Sequence, residues 1–578
     1  MKKHGYCIGI GVLLCMLLLL CFHLERRPVS PPSLDPVSFI ISSDAGQQRV
    51  RCWFREQNCF VFLPSFAELS RTSVRLDPAA QVTLQGNEIT DGMNCGCYDL
   101  NTAYELVIND SDPMQLLFLR SSHVPAMFIN TESGGMEAVH SDRSYRERMA
   151  VHIVDQSGLT PFSSSLSGWI RGHGNSTWEL DKKSYNLYFA TAADLFGMGS
   201  SDRYVLISNA IDDTNLRNYL VYRFAESVGQ YAGFAPDCEF VDLFLNGNYA
   251  GLYLLCEKPE VSRSRLVLNA GSDLFEVTAY DTASERQLYG LTDGMYIEIH
   301  NPDPCSAARK EQLMSCTQEL TEALLSDSGH SAISGRSWED CIDLDSWARK
   351  YLIEEIFSNA DAGFYSQYFY RDSSTGRIFA GPCWDYDGAI GMFPYAVNCF
   401  LAQRSWLNAS HYSPWYSALW QKEAFRNYTI SLYRNEFVPE LRRLLSEVLP
   451  DVAMRIYDAS EMNRVRWFDA TENVNDSISE MKNYLTDHLS FLNSAWIDGV
   501  VYHTITLKRS PNATYQYYCI ADGSDASMLP SPDALGVEGT VWFLEDSYEE
   551  FDPHTIIHED LVLTAFHSDP ETGREASG

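Results

Sequence analysis

From Glu239 to Leu245 the chain alternates apolar side chains on both faces, meets Asn246-Gly247-Asn248, and returns as Tyr249 to Leu255. Asn-Gly between two apolar strands is the strongest short hairpin signal a sequence offers, because both turn residues tolerate the left-handed backbone that a two-residue connection needs. Helical patterns surround this hairpin. Asp213 to Val228 sets Leu216, Tyr219, Leu220, Phe224 and Val228 on one face, with an Asp/Thr start and Gly229 as the stop. A second helix, capped at Asp343 or Asp345, carries Trp347, Tyr351, Leu352 and Ile356 inward, and further helical stretches fill Ala424 to Leu449 and Asn475 to Leu492. Strands and helices in this mixture predict an α+β fold.

A chain of 578 residues is too long for one core, so two to four domains are expected. Residues 1–27 contain the uncharged apolar run Tyr6 to Phe22, with Cys7, Cys15 and Cys21 as apolar filler, and no small-x-small cleavage site follows it; this predicts an uncleaved membrane anchor. Residues 28–36 are a stiff Pro/Ser linker. Short apolar runs separated by polar turns over 37–122 predict a β-sandwich-like module. The span 123–497 is mixed, and 498–570 reads as a small β module. Cys52, Cys59, Cys95 and Cys97 are consistent with two disulfides of an exported module or with four buried thiols. With 43 Lys and Arg against 77 Asp and Glu, the net charge of −34 repels a nucleic-acid backbone and argues against that partner.

Two segments carry chemistry. Trp169 to Trp178 contains a Gly-broken turn, followed by Lys182 and Lys183 at the start of an alternating strand, Ser184 to Phe189. Backbone amides and a cation in such a place hold phosphate. Lys183 shares the parity of Tyr185, Leu187 and Phe189, which predicts that it points inward while Lys182 points to solvent. In the second segment, Tyr365 to Tyr370 and Ile378 to Trp384 read as a hairpin. Asp361 precedes its first strand and Asp385 follows its second, so both occupy the open end, with Asp387 two residues further on. A base and a divalent-metal site converge there.

Several spaced motifs together resemble the CotH family, named for a spore coat protein: Arg-Gly-x-Gly-Asn-Ser-Thr-Trp from Arg171, Lys182 to Leu187, Asp194 to Gly199, Asn209 with Asp212 and Leu216-Arg217-Asn218, Leu245 to Tyr253, and Trp384-Asp385-Tyr386-Asp387. The resemblance runs in order from about Val124 to Gly391, with weaker support to about Leu492. It implies a kinase-like, two-lobed domain over 123–497. It also implies an atypical Ser/Thr protein kinase that uses ATP with Mg²⁺ or Mn²⁺ on a coat or surface protein. Carried over, it makes Asp361 the catalytic base, Lys183 the nucleotide-phosphate cation, Arg171, Asn175 and Glu257 further nucleotide contacts, and Asp385 with Asp387 the metal ligands. The tail from Leu529 to Ala565 resembles one InlB-type B repeat. The expectation is therefore a membrane-anchored, extracytoplasmic protein kinase. The alternatives are a nucleotide-free structural scaffold on the same fold, or a carbohydrate- or envelope-binding protein suggested by 12 Trp and 32 Tyr.

Overall fold

The computed structural model describes residues 35–161, 166–279, 287–289, 296–359, 361–392, 414–468, 473–510, 513–535 and 540–567. The apolar run from Tyr6 to Phe22 and most of the Pro/Ser linker lie outside them, and no helix among the described residues is long and apolar enough to cross a membrane. Helices and sheets are intermixed in an α+β fold.

Nine strands, β1 to β9, lie between Val37 and Arg120 and form sheets of three and six strands. Alternation places Val37, Phe39, Ile41, Cys59, Val61 and Leu63 in the core that the sheets share. Cys52, Cys59 and Cys95 are buried and Cys97 is exposed, and all four are free thiols. Of the two cysteine readings, the fold therefore holds the thiols rather than the disulfides. A hydrogen bond with Cys59 together with burial pushes the Cys52 thiol well above its ordinary value, which keeps it protonated and inert. A core of this extent has no need of cross-links.

The next seven strands close a barrel: β10 (Ala126–Thr131), β11 (Glu147–Val154), β12 (Leu166–His173), β13 (Ser184–Asp194), β14 (Ser200–Ile207), β15 (Cys238–Leu245) and β16 (Asn248–Glu257). Their order is β10-β11-β12-β13-β14-β16-β15, and the closure is a parallel pairing of β15 with β10. The expected hairpin is β15–β16: Leu245 pairs with Asn248, and the turn residues Asn246 and Gly247 take φ of 50° and 83°. Val151, Ile170, Leu187, Leu206, Leu243 and Leu255 fill the barrel. The outer face is buried twice over, with Phe128, Phe244 and Tyr249 against the N-terminal module and Phe240, Leu252 and Leu254 against the helical region. Asp242, fully buried on that outer face, accepts from Ser121 and from the Tyr249 hydroxyl at 3.1 Å.

Helix α1 (Arg217–Val228) ends at Gly229 as expected but starts four residues later than Asp213. The Asp212 carboxylate captures the amides of Thr214 at 3.1 Å and Arg217 at 2.9 Å, which folds residues 212–216 into a turn ahead of the helix. A second sheet follows, of β17 (Asp273–Thr278), β18 (Gln287–Tyr289), β19 (Tyr296–Asn301), β20 (Gln367–Arg371) and β21 (Ile378–Ala380), in the order β18-β19-β17-β20-β21. Helices α2 (Ala307–Leu325), α3 (Leu344–Ile356), α4 (Pro414–Gln421), α5 (Glu423–Leu432), α6 (Leu449–Trp467) and α7 (Val474–Trp496) build the rest. Asp343 caps α3 by accepting from the Ser346 amide at 2.9 Å. The helical stretch expected to end at Leu449 runs on to Trp467: a π turn over Leu444–Val448 leads directly into α6, whose first turn holds Pro450. Helix α6 lies across β16 at Gly251, where a Cβ would stand 2.5 Å from Asn463 Oδ1 and 2.9 Å from Trp467 Nε1. The tail is a four-stranded sheet with Ile505, Leu507, Trp542 and Leu563 in its own core.

The inward stripe of α3 carries an ion pair. Lys350 and Glu354 are fully buried and bonded to each other. The Tyr386 hydroxyl joins both, 2.8 Å from Lys350 Nζ and 2.7 Å from Glu354 Oε1, and Asn359 Nδ2 reaches Glu354 Oε2 at 2.6 Å.

Two outcomes follow from this packing. Alkylation of the unfolded, unreduced protein should label Cys52, Cys59, Cys95 and Cys97, and peptide mapping that finds them cross-linked would contradict the fold. Glu354→Ala strands the Lys350 charge and should cost about 3–5 kcal/mol in denaturant unfolding, whereas Lys350→Leu combined with Glu354→Leu should cost less than either single change.

Candidate active site at the barrel and sheet junction

The residues around Asp385 form a loop whose backbone is held by three side chains of α1. Tyr222 Oη accepts from the Asp385 amide at 3.2 Å, Asn218 Oδ1 accepts from the Tyr386 amide at 2.7 Å, and Arg217 Nε donates to Ala389 O at 3.0 Å. Arg217 is itself paired with buried Asp212. Asp385 adopts φ of 69°, a left-handed conformation that aspartate and asparagine accept more readily than other side chains. The Ser366 hydroxyl donates to Asp385 Oδ2 at 3.0 Å. Trp384 lies against Tyr222 at 6.1 Å and meets the edge of His173 at 6.2 Å.

Asp361 comes from the other side of the same junction. At the end of α3 the Asn359 amide bonds to Glu354 O at 3.0 Å, and Asn359 Oδ1 accepts from the Asp361 amide at 3.1 Å. Asp361 O then accepts from the amides of Phe364 and Tyr365. The buried ion pair thus ties the Asp361 turn to the Tyr386 loop through Glu354.

The structure brings Asp361, Asp385 and Asp387 together as partly buried carboxylates. Burial, then the charges of Asp385 and Glu354, lift Asp361 to about 7. Burial also raises Asp385, helped by Glu276 on β17 and opposed by the Ser366 hydrogen bond. Asp387 is pushed well above the carboxylate range by burial and by Asp385, Asp361 and Asp212. Among the described residues, no three His, Cys, Asp or Glu side chains are drawn close enough to form a preformed metal cage. Mg²⁺ does not require one, because one or two carboxylates with waters and substrate phosphates complete its shell. Carboxylates that repel one another and receive one hydroxyl bond are a donor set a divalent cation fits. Gln367, six residues after Asp361, is fully buried and its Oε1 has no hydrogen-bond partner among the described residues.

The lysines are arranged otherwise than alternation predicts. Lys182, expected in solvent, is 3% exposed, and its ammonium donates to Ser208 O at 2.5 Å and Leu252 O at 2.7 Å over the Tyr253 ring. Burial lowers its pKa well below the ordinary value, with Asp212 opposing the shift. Lys183, expected inside, is half-buried and folds back onto Trp178 O at 2.7 Å and Leu180 O at 3.0 Å, above the Trp178 ring. The reason is that both faces of β13 are covered. Tyr185 and Leu187 fill the barrel, while Ser184 and Asn186 are buried as well, with Ser184 Oγ 3.0 Å from Ser208 Oγ in the connection from β14 to α1. The polar face, read as solvent-facing, is an interior junction.

The remaining candidates are dispersed. Asn175 Oδ1 accepts from Arg143 at 2.8 Å, closing the Gly-broken turn. Gly172 admits the Trp178 ring, which a Cβ would approach to 2.4 Å. Glu257 is buried with one oxygen on Arg265 and the other accepting from the Asp237 amide at 2.9 Å. Arg171 lies in a separate basic pocket. Sequence reasoning assigned no role to Lys350, Glu354 or Asp212. The signal for the first two was present: Lys350 and Glu354 fall on the same i, i+3, i+4, i+7 stripe as Trp347 and Tyr351.

Among curated proteins no match to the chain is found. A family model described as CotH kinase protein matches residues 170–492, a span that begins on β12 of the barrel and ends within α7, and so encloses every carboxylate of the junction. The match covers more than half of the chain, and the chain therefore belongs to the CotH kinase family.

Proposed function

We propose that the chain is a two-lobed protein kinase, with the barrel as one lobe and the sheet β17–β21 with its helices as the other, transferring the γ-phosphoryl group of ATP to Ser or Thr hydroxyls of a coat or surface protein. The observation that carries this reading is the crowding of Asp361, Asp385 and Asp387 at the junction, where the charge of Asp385 raises the protonation of both Asp361 and Asp387. Asp385 and Asp387 would hold Mg²⁺ or Mn²⁺. When bound, the ion offsets charge on the phosphoryl oxygens. Asp361, with a pKa near neutrality, orients the acceptor hydroxyl and takes its proton. Lys183 serves the nucleotide phosphates by exchanging its two carbonyl partners for phosphate oxygens. The apolar run from Tyr6 to Phe22 supports membrane anchorage, and the InlB-like tail supports a location outside the cytoplasm.

A nucleotide-free scaffold is the second reading, and the lysines favour it, because both ammoniums are satisfied by backbone carbonyls. Nucleotide binding separates the two. With labelled ATP and Mg²⁺, Asp385→Asn should abolish phosphoryl transfer with little change in Tm, since asparagine also accepts the left-handed backbone at this position. Asp361→Asn should lower turnover while ATP binding survives. Full transfer by Asp385→Asn would sink the metal assignment, and a folded wild-type chain that binds no ATP would establish the scaffold.

The junction also sets a pH dependence. The folded-state pKa of Asp361 is raised from 3.8 to about 7, so between these values the native chain binds more protons than the unfolded one, and stability falls as pH rises through the window. In a chelator, Tm should decline between about pH 4 and pH 7, Mg²⁺ should restore it at the upper end only, and Asp361→Asn should flatten the decline. Equal Mg²⁺ effects at both pH values would contradict the site.

A further inference from the structure

Beside this junction, Arg146, Arg171, Arg203 and Lys258 converge with Asp303 on a cavity of about 250 Å³. Its floor is the Tyr188 ring, with the Arg146 guanidinium 4.5 Å and the Arg171 guanidinium 5.7 Å from the ring centre. Four cations crowded around one carboxylate in so small a space repel one another, and among the described residues Glu260 and Glu276 offset them only in part. Arg203 lies 3.7 Å from Glu260 and 3.8 Å from Asp202, at the outer limit of an ion pair. Arg171 Nε is buried and has no hydrogen-bond partner among the described residues. Burial, and then Arg171, hold the Lys258 ammonium below its ordinary value, with Glu260 and Glu276 opposing the shift. On a chain of net charge −34, this local excess of positive charge marks a place built for an anion.

The kind of anion follows from charge and shape. After Asp303 and Glu260 the cavity carries a surplus of two positive charges, of which a carboxylate would neutralise one. A phosphomonoester brings nearly two negative charges and three terminal oxygens, which guanidinium forks bind in pairs. The cavity exceeds a phosphate but falls below the roughly 300 Å³ at which pockets for larger organic ligands begin. It also adjoins the junction: His173, whose ring meets Trp384, is pushed down by burial and by Lys258 and Arg171 of this pocket.

We propose that the Arg146–Arg171–Arg203–Lys258 pocket docks a phosphate group already present on the acceptor protein, so that the chain prefers acceptors that have been phosphorylated near the target hydroxyl. This rests on the kinase reading for its purpose, though not for the binding itself. The test uses the full-length chain, a Ser-containing peptide, the same peptide with a phosphoserine several residues from the target serine, and calorimetry without nucleotide. The phosphorylated peptide should bind at least tenfold more tightly than its unphosphorylated counterpart, and Arg146→Ala with Arg203→Ala, both exposed and outside the cores, should remove that preference while the Kd for ATP changes less than twofold. Equal binding of the two peptides would overturn the proposal. So would a double variant that loses ATP affinity tenfold and keeps the peptide preference, because the pocket would then belong to the nucleotide. A wild-type chain that prefers the phosphopeptide yet binds no ATP would sink the kinase reading and leave the pocket standing.

Discussion

The buried ion pair between Lys350 and Glu354 is the constraint on which the junction depends. Two charges removed from water are costly, and their attraction offsets that cost only when every remaining donor and acceptor is used. Here Tyr386 and Asn359 complete the set. Tyr386 belongs to the loop that carries Asp385 and Asp387, and Asn359 bonds the amide of Asp361. An apolar α3 face would pack as well and would leave these two loops to find their own spacing. The pair acts as a register device, holding carboxylates that would otherwise move apart.

Repulsion among those carboxylates is what makes the arrangement informative. Asp387 sits within the field of Asp385, Asp361 and Asp212, and three of these come from separate parts of the chain: the connection after β14, the turn after α3 and the loop after β21. A fold selected for stability alone would disperse them or pair them with arginine, as it does at Asp273 with Arg309 and Arg371. Asp212 has such a partner in Arg217, but Asp361, Asp385 and Asp387 have none among the described residues, and unpaired acids brought together at a junction are a cost that chemistry explains.

Much of this was legible in the sequence, and the illegible parts share one cause. The Asn246-Gly247 turn, the Asp343 cap and the Gly229 stop are local signals, and the structure has all three. Asp361 and Asp385 were placed together by the hairpin between them, although regular pairing in that hairpin ends at Ala380. Alternation failed at Lys182 and Lys183 because it reports which residues share a face and not what covers that face. The α1 start was misplaced because Asp213 and Thr214 read as a helix start, whereas the Asp212 carboxylate just before them ties up the amides of Thr214 and Arg217 and folds that stretch into a turn.

The same limit applies to the basic pocket. Arg146, Arg171, Arg203 and Lys258 lie on or beside β11, β12, β14 and β16, and barrel closure, not sequence proximity, sets them around Tyr188 on β13. Antiparallel neighbours pair Arg171 with Asn186 and Tyr188 with Arg203, so the register that seals the barrel interior also aligns these cations on its outer surface. Shifting any one strand by a residue would turn its cation inward and an apolar side chain out. The hydrophobic filling of the barrel therefore fixes the charge pattern outside it, and the electrostatic character of the site is a consequence of core packing.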